Sequence, residues 1–378
     1  MLTTSKIPAQ VLEFAGGESK LAPYKMFIDY WNHYQSNNGN KNVEFSKTTV
    51  NEDGEVVSIS FDEKEHAMND ALKAEIMRHA GITSFKQFPL ETWATHPMLK
   101  WATFAVVSAL VDMILPQTII DSIGMYTDVR TIGYGDSASF NVKPRDLFVV
   151  SKAGRNNRRA EVHKQYKGQV VINPEARQLT VGVSLYRVLS GHESLAEFVG
   201  KVARSVETRM TLDVYNAFVT ATAALTTGAA GLKVAGYTQT DFVTLSQKVS
   251  AWNGGAKPIV VGTQLALANI LPADANYRYE LDSDFVKLGF VRNFVGTDVI
   301  IMPQRADFTT PFQTLISNSY LWFLSPGSQK IMKLVLEGNT LAYTDDTYAN
   351  ANLMETSTMI KSWGVGVATN AVAGIMTV

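Results

Sequence analysis

The residues that could make or break bonds are few, and their spacing does not suit the task. His192-Glu193 starts as a zinc-protease helix would, but the position one turn on, where a second ligand would fall, is Ala196. Gly133-Tyr-Gly135 lacks the third glycine and the strand-to-helix setting of a dinucleotide loop, and no Gly-Lys-Ser/Thr run offers a phosphate cradle. No serine stands between glycines at the spacing of a hydrolase nucleophile. The six histidines are scattered, and Asp345-Asp346, a pair that could hold a cation, lies in the polar run YTDDTYANAN and reads as a solvated loop. With no cysteine, disulfides and thiolate metal sites are excluded. The expectation is a non-enzyme with no cofactor and no metal site.

What the chain does concentrate is charge. Residues 143–167 hold eight basic side chains (Lys143, Arg145, Lys152, Arg155, Arg158, Arg159, Lys164, Lys167) and two acids (Asp146, Glu161), a balance of +6, so the rest must be -7 to reach the net -1. A basic segment on an acidic body suits contact between copies, because one subunit's segment is drawn to another's surface. Lys152, Arg155, Arg158, Arg159 and Lys164 are therefore the candidate intersubunit contacts. The near-zero total argues against tight coating of nucleic acid, which needs many phosphates neutralised, so any contact with DNA is expected to be weak and non-specific. Charged residues are 18% and apolar ones 46%, which points to surface hidden between subunits.

The elements that position this segment are a ribbon and a long helix. Val129 and Ile132, Phe140 and Val142, Leu147 and Val149 alternate with polar residues. The chain returns through Val170 to Ile172, turns at Asn173-Pro174-Glu175 and continues along Leu179, Val181, Val183 and Leu185. The pattern predicts a two-stranded ribbon with its tip at residues 151–159. Such a ribbon is marginal in water unless it lies on something, and a neighbouring subunit is the better support. A helix is predicted next, over about residues 193–222, opened by a capping box of Ser190 and Glu193. Leu195, Phe198, Val202, Val206, Met210, Val214 and Phe218 form its apolar core stripe, and Glu197 with Lys201 and Arg209 with Asp213 pair four residues apart. Gly200 costs it about 1 kcal/mol against alanine. At about 1.5 Å per residue this is a rod of roughly 45 Å, a spine that must lie under a sheet.

The remaining segments frame the spine. Residues 1–41 read as an arm whose Phe27, Tyr30, Trp31 and Tyr34 share one helix face that would dock on a neighbour. The N-terminal stretch shows no secretion signal. A hairpin turns at Asp53-Gly54, a helix runs from Asp62 to Gly81, and another opens at Pro97 and ends at Pro116. Its apolar run, residues 101–115, is interrupted by Asp112, is too short to span a bilayer and reads as a buried helix, with no membrane partner. Residues 229–340 alternate helices (Phe242, Leu245, Val249, Trp252; then Gln264 onward) with short buried strands at residues 259–261, 299–302 and 320–324. A closing strand carries Ile360, Trp363, Val365 and Val367.

An arm, a ribbon, a capped spine helix, a lobe carrying KPIVVGTQLALANIL and LGFVRNFVGTDVIIMPQ, and a closing strand resemble, in that order, the major capsid protein of tailed double-stranded-DNA bacteriophages, the Hong Kong phage coat fold also seen in encapsulins and herpesvirus shells. The resemblance covers about residues 117–378 and implies an α+β fold divided in five. Residues 1–116, read as an N-terminal arm with hairpin and helices, depart from the short arm of the family's simplest members; 117–190 would be the extended loop and flanking strands, and 191–228 the spine of the peripheral domain. Residues 229–340 would be the axial domain, and 341–378 the closing strands of the peripheral domain. The function it implies is a coat protein that assembles through pentameric and hexameric capsomers into an icosahedral shell around viral double-stranded DNA. Its partners would be many copies of itself, scaffold, portal or decoration proteins, and packaged DNA, in a virion assembled in host cytoplasm. An encapsulin-like compartment and an oligomeric α/β intracellular enzyme are the alternatives. Some coats crosslink a loop lysine to a neighbour's asparagine, for which Lys152 with Asn370 or Asn352 are nominal partners, but a solvated Lys152 is the reading adopted.

Overall fold

The computed structural model describes residues 7–36, 45–50, 56–83, 97–124, 127–142, 168–184, 187, 192–223, 231–271, 287–302, 304–307, 312–325, 330–344, 355–367 and 372–378. In chain order the elements are helices α1 (Ala9–Ala15) and α2 (Ala22–Ser36), strands β1 (Phe45–Val50) and β2 (Val56–Ile59), and helices α3 (Phe61–Ala80) and α4 (Pro97–Ile123). Strands β3 (Thr127–Ile132), β4 (Ala138–Val142), β5 (Gly168–Ile172) and β6 (Glu175–Val183) lead to the spine, α5 (Leu195–Ala223). Then come β7 (Lys233–Val234), α6 (Gln239–Trp252), β8 (Ile259–Gly262), α7 (Gln264–Ala268), β9 (Asn293–Phe294), β10 (Thr297–Ile301), β11 (Ala306–Asp307), β12 (Gln313–Thr314), β13 (Tyr320–Leu324), β14 (Met332–Thr344), β15 (Glu355–Val367) and β16 (Gly374–Thr377).

Two sheets share the spine. One has the order β3-β14-β15-β6, with β3 parallel to β14 and the other pairs antiparallel. The other has the order β7-β16-β13-β8-β10-β9 and is mixed. The unbroken apolar runs of β8 and β13 follow from burial on both faces. Ile259, Val261, Trp322 and Leu324 face the spine's Met210, Val214 and Phe218. Val260, Leu321 and Phe323 face α6 through Phe242, Leu245 and Val249. Each such side chain contributes about 1.5–3 kcal/mol on leaving water, which is why the six-stranded sheet holds without long strands.

The first half of the spine is buried differently. Leu195, Val199, Val202 and Ala203 pack with α2, α3 and α4 in one cluster that also contains Tyr24, Phe27, Tyr30 and Trp31. The aromatic face of α2 therefore docks on this chain's own spine and not on a neighbour, a correction to the sequence expectation. Its seat is Gly200, where an added Cβ would stand 3.0 Å from the Trp31 ring. The glycine's cost to the helix is offset by the close approach of an indole.

Other expectations change in detail. Helix α4 does not stop at Pro116 but continues to Ile123. A proline inside a helix costs about 3 kcal/mol, and here Leu115 and Ile119 are both buried against the spine and the sheets, so packing carries the helix across the break. Within α4, the stretch Met98–Pro116 is long and apolar enough to cross a membrane, but 78% of its window is buried inside the protein, as in a core helix. Strand β6 leaves the ribbon and pairs along its whole length with β15. Trp252 closes α6 on its solvent side, 70% exposed, outside the buried face of Phe242, Leu245 and Val249. The division at residue 340 cuts through β14, which belongs to the four-stranded sheet from Met332 onward, and Gly374–Thr377 lies in the six-stranded sheet instead of closing the other.

Candidate functional site

The five candidate contact residues, Lys152, Arg155, Arg158, Arg159 and Lys164, lie outside the described residues, as do Asn352 and Asn370. The structure gives the platform from which their segment departs and to which it returns. Strands β4 and β5 pair antiparallel from Ala138–Ile172 to Val142–Gly168, so residues 143–167 are bracketed by adjacent strand ends. One face of this pair is apolar: Ala138, Phe140 and Ile172 bury against Val335 of β14, with Ile132, Val142 and Val170 around them. Phe140 is also covered by cations, with the Arg130 guanidinium 4.2 Å and the Lys333 ammonium 5.4 Å from its ring centre. Lys333 is buried, and its charge is met by Asp128 at 3.2 Å. A polar-looking stretch of β3 and β14 thus becomes an aromatic clamp under the ribbon.

Next to it the backbone of β14 is irregular. Its pairing with β15 slips between Glu337 and Leu341, and the groups released by the slip are taken by side chains from three elements. The Tyr134 hydroxyl donates to Asn339 O (2.8 Å) and accepts from Asn339 N (2.9 Å). Glu337 accepts from Gly135 N at 2.7 Å. Asp112 of α4 accepts from Thr340 N (2.7 Å), Thr340 Oγ1 (2.6 Å) and Lys361 Nζ (2.8 Å), and Lys361 also donates to Gly338 O (2.7 Å). Sequence reading marked Asp112 as a charge interrupting an apolar run. It gave no sign of Lys361, 249 residues away.

The spine residues fall as follows. Leu195, Val202, Met210, Val214 and Phe218 are buried, whereas Phe198 and Val206 are partly buried beside the two clusters. The cap is one turn later than expected. Ser194 Oγ accepts from Glu197 N at 3.2 Å and Asn69 Oδ1 from Ala196 N at 3.2 Å, so α3 helps to satisfy the first free N–H groups of the spine. Glu193 instead pairs with Arg187 at 2.9 Å. Both expected surface pairs form, Glu197–Lys201 at 3.4 Å and Arg209–Asp213 at 3.2 Å. The spine also anchors the six-stranded lobe through a Glu207–Arg305 ion pair and through Tyr215, whose hydroxyl accepts from Ser317 N at 3.1 Å.

Groups with shifted proton affinity serve this packing. Burial pushes Glu75 up, but hydrogen bonds from Arg78 and Tyr24 outweigh it and hold the carboxyl below its usual range. Burial, reinforced by Arg78, lowers His79, whose ring stacks on Phe14 at 4.1 Å. The Tyr24 hydroxyl, raised by burial and by Glu75, donates to that carboxylate at 3.1 Å. These groups satisfy one another and clasp α1 and α2 to α3. Among the described residues no group of three or more His, Asp or Glu side chains could hold a metal ion.

A family model described as SPbeta prophage-derived putative capsid protein YonB matches residues 45–377. No curated protein matches the chain. Among solved structures, the chain is similar to the capsid of a native GTA particle, at 14% identity and a TM-score of 0.47, with 68% of this chain and 89% of that one covered. It is similar to the capsid of the cyanophage P-SCSP1u at 14% identity and a TM-score of 0.44, covering 67% and 86%. For Mycobacterium phage Che8 the identity is 11% and the TM-score 0.41, covering 64% and 84%.

Proposed function

The chain belongs to the YonB family of prophage-derived capsid proteins and is a structural coat protein, and from that premise we propose that it assembles through pentameric and hexameric capsomers into a closed icosahedral shell around double-stranded DNA. The observation that carries the proposal is the family match, which spans the ribbon, the spine and both sheets. The architecture supports it. The spine's apolar stripe packs on the sheets and its cap and aromatic seat hold it to α3 and α2, while residues 143–167 carry +6 on a body of -7. In this reading Lys152, Arg155, Arg158, Arg159 and Lys164 are drawn to an acidic surface of the next copy. In this reading the role is structural, and Glu75, His79 and Tyr24, whose proton affinities are shifted, serve to pack α1 and α2 on α3.

The same charge balance bears on the cargo. A subunit of net -1 has no general attraction for duplex DNA, so the proposed contact with the genome is weak and independent of sequence, and DNA entry is driven by other components. Scaffold, portal or decoration proteins would be the further partners, with assembly in host cytoplasm and the virion as the final location.

Negative-stain microscopy of the chain expressed alone tests the proposal. Closed shells, curved sheets or rings of five and six are the expected products, and a dispersed small particle at all concentrations would overturn it. Nucleic-acid content of particles from phage-infected cells then distinguishes a genome shell from a protein compartment.

A further inference from the structure

The ribbon base meets the four-stranded sheet at three points where side-chain volume is missing. At Gly338, whose φ is +48°, an added Cβ would fall 2.5 Å from the Tyr134 ring. At Gly364 it would fall 2.8 Å from Asn173 O and 2.8 Å from Ile172 Cγ2, and at Gly366 2.7 Å from Ile172 Cδ1. All are below the closest approach of ordinary packed carbons, so the sheet presents a shaped trough. Ile172 ends β5, and Tyr134 stands in the turn that feeds β4, so the trough grips β5 and the approach to β4. The grip is directional as well as tight. Tyr134 is tied to the β14 backbone by two hydrogen bonds and Gly135 to the Glu337 side chain by a third, while Arg130 and Lys333 both lie over the Phe140 ring.

We infer that Tyr134, Ile172, Gly338, Gly364 and Gly366 are positioning residues that fix the direction in which residues 143–167 leave the body of the subunit, and through it the angle between neighbouring subunits in the shell. Residues serving the core alone would need no such shape. The strand pair is already closed by its own ladder, and its apolar face is already covered by Val335. The trough adds a fixed orientation of that pair relative to β14 and β15. Because residues 143–167 begin and end on that pair, turning the pair would displace any intersubunit contact they make, and shell curvature with it. This second step rests on the coat-protein reading above; the first does not.

The chain has no cysteine, so paired labels can be introduced at will. Spin labels on Gln169→Cys at the ribbon base and Lys201→Cys on the exposed face of the spine report the orientation in the unassembled subunit. In the parent the distance distribution is expected to be narrow. Gly364→Ala, which forces a backbone carbonyl aside, should shift or broaden it while the far-ultraviolet spectrum is kept. Tyr134→Phe, which keeps the ring and loses only the two hydrogen bonds, should broaden it and serves if the alanine variant does not fold. A folded variant of either kind with the parent's distribution would overturn the inference. Particle diameters by microscopy give the second readout. Variants should form shells of altered or mixed diameter, or open sheets, and shells of parental size from a variant with a displaced ribbon would refute the link to curvature. Failure of the parent to assemble would count against the coat-protein reading, and the label distances would still decide the clamp.

Discussion

The Asp112–Lys361 pair offers the most quantitative test of how the subunit is held together. Both side chains are about nine-tenths buried, at 10% and 9% exposure, and they join α4 to the slipped segment of β14 and to β15. Replacing Asp112 with alanine removes the acceptor for Lys361 Nζ, Thr340 N and Thr340 Oγ1, leaving the ammonium with Gly338 O as its remaining described partner. A buried pair broken on one side costs about 3–5 kcal/mol, because the charge left behind is uncompensated. At about 2.1 cal/mol/K per residue, 378 residues give an unfolding entropy near 0.8 kcal/mol/K, so the expected fall in melting temperature is about 4–6 °C. Asp112→Asn keeps an acceptor for Thr340 and should lose less. The double variant Asp112→Leu with Lys361→Met removes both charges and should melt close to the parent, since a well-packed apolar pair replaces a buried ion pair at little or no loss. Differential scanning calorimetry at pH 7 on the unassembled subunit reads all three. An Asp112→Ala subunit melting within about 1 °C of the parent, or a double variant as unstable as the single, would show that desolvation and packing at this site have been misjudged.

Three further outcomes are expected. Val202→Asp places a carboxylate against α4 and should cost several kcal/mol, enough that soluble, cooperatively melting subunit is not recovered; recovering it would mean that the spine's buried face is not where the structure puts it. Lowering the pH should weaken the clasp of α1 and α2 in two steps. His79 has a folded-state pKa below its unfolded value of about 6.5, so its contribution is complete above that pH and is lost as pH falls through the folded value; Glu75, also depressed, contributes fully above about 4.3 and is lost on further acidification. Hydrogen exchange of residues 9–36 across that range checks this, and His79→Gln should abolish the upper step only. Arg158→Glu with Arg159→Glu should leave melting unchanged but slow assembly, more at low salt where repulsion is less screened; light scattering that rises as fast as for the parent would remove the proposed attraction.

Parts of the fold with a local signal could be read from the chain, and the misreadings share one cause. Ser190 with Glu193 and Ser194 with Glu197 are two identical capping frames one turn apart, and nothing local chooses between them. The choice is made by Asn69, 127 residues from Ala196, whose carbonyl oxygen takes that residue's N–H. Pro116 carries a local stop signal that is overridden by burial of Leu115 and Ile119 against the spine and the sheets, elements far along the chain. Asp112 was visible as an anomaly, and its meaning waited on Lys361. In each case the missing information is the identity of a distant partner, which periodicity and spacing do not encode.

The same distinction separates the two features that pointed toward a neighbour. An aromatic face and a basic run are both unbalanced on the sequence, and each calls for a complement. The aromatic face of α2 finds its own within the chain, because Gly200 opens a seat on the spine that an indole fills, and Phe27, Tyr30 and Trp31 are buried there with Tyr34 packed at the margin. The basic run is balanced only by a charge of -7 spread over the other residues, a surplus that every copy carries equally. Because β4 and β5 are clamped to their own sheet, the segment between them starts and ends at one place on the subunit, and in the proposed reading its complement is the acidic surface of the next copy. A head-to-tail contact of this kind, repeated, closes into rings when the angle between copies permits, and here the trough at Gly338, Gly364 and Gly366 would set that angle.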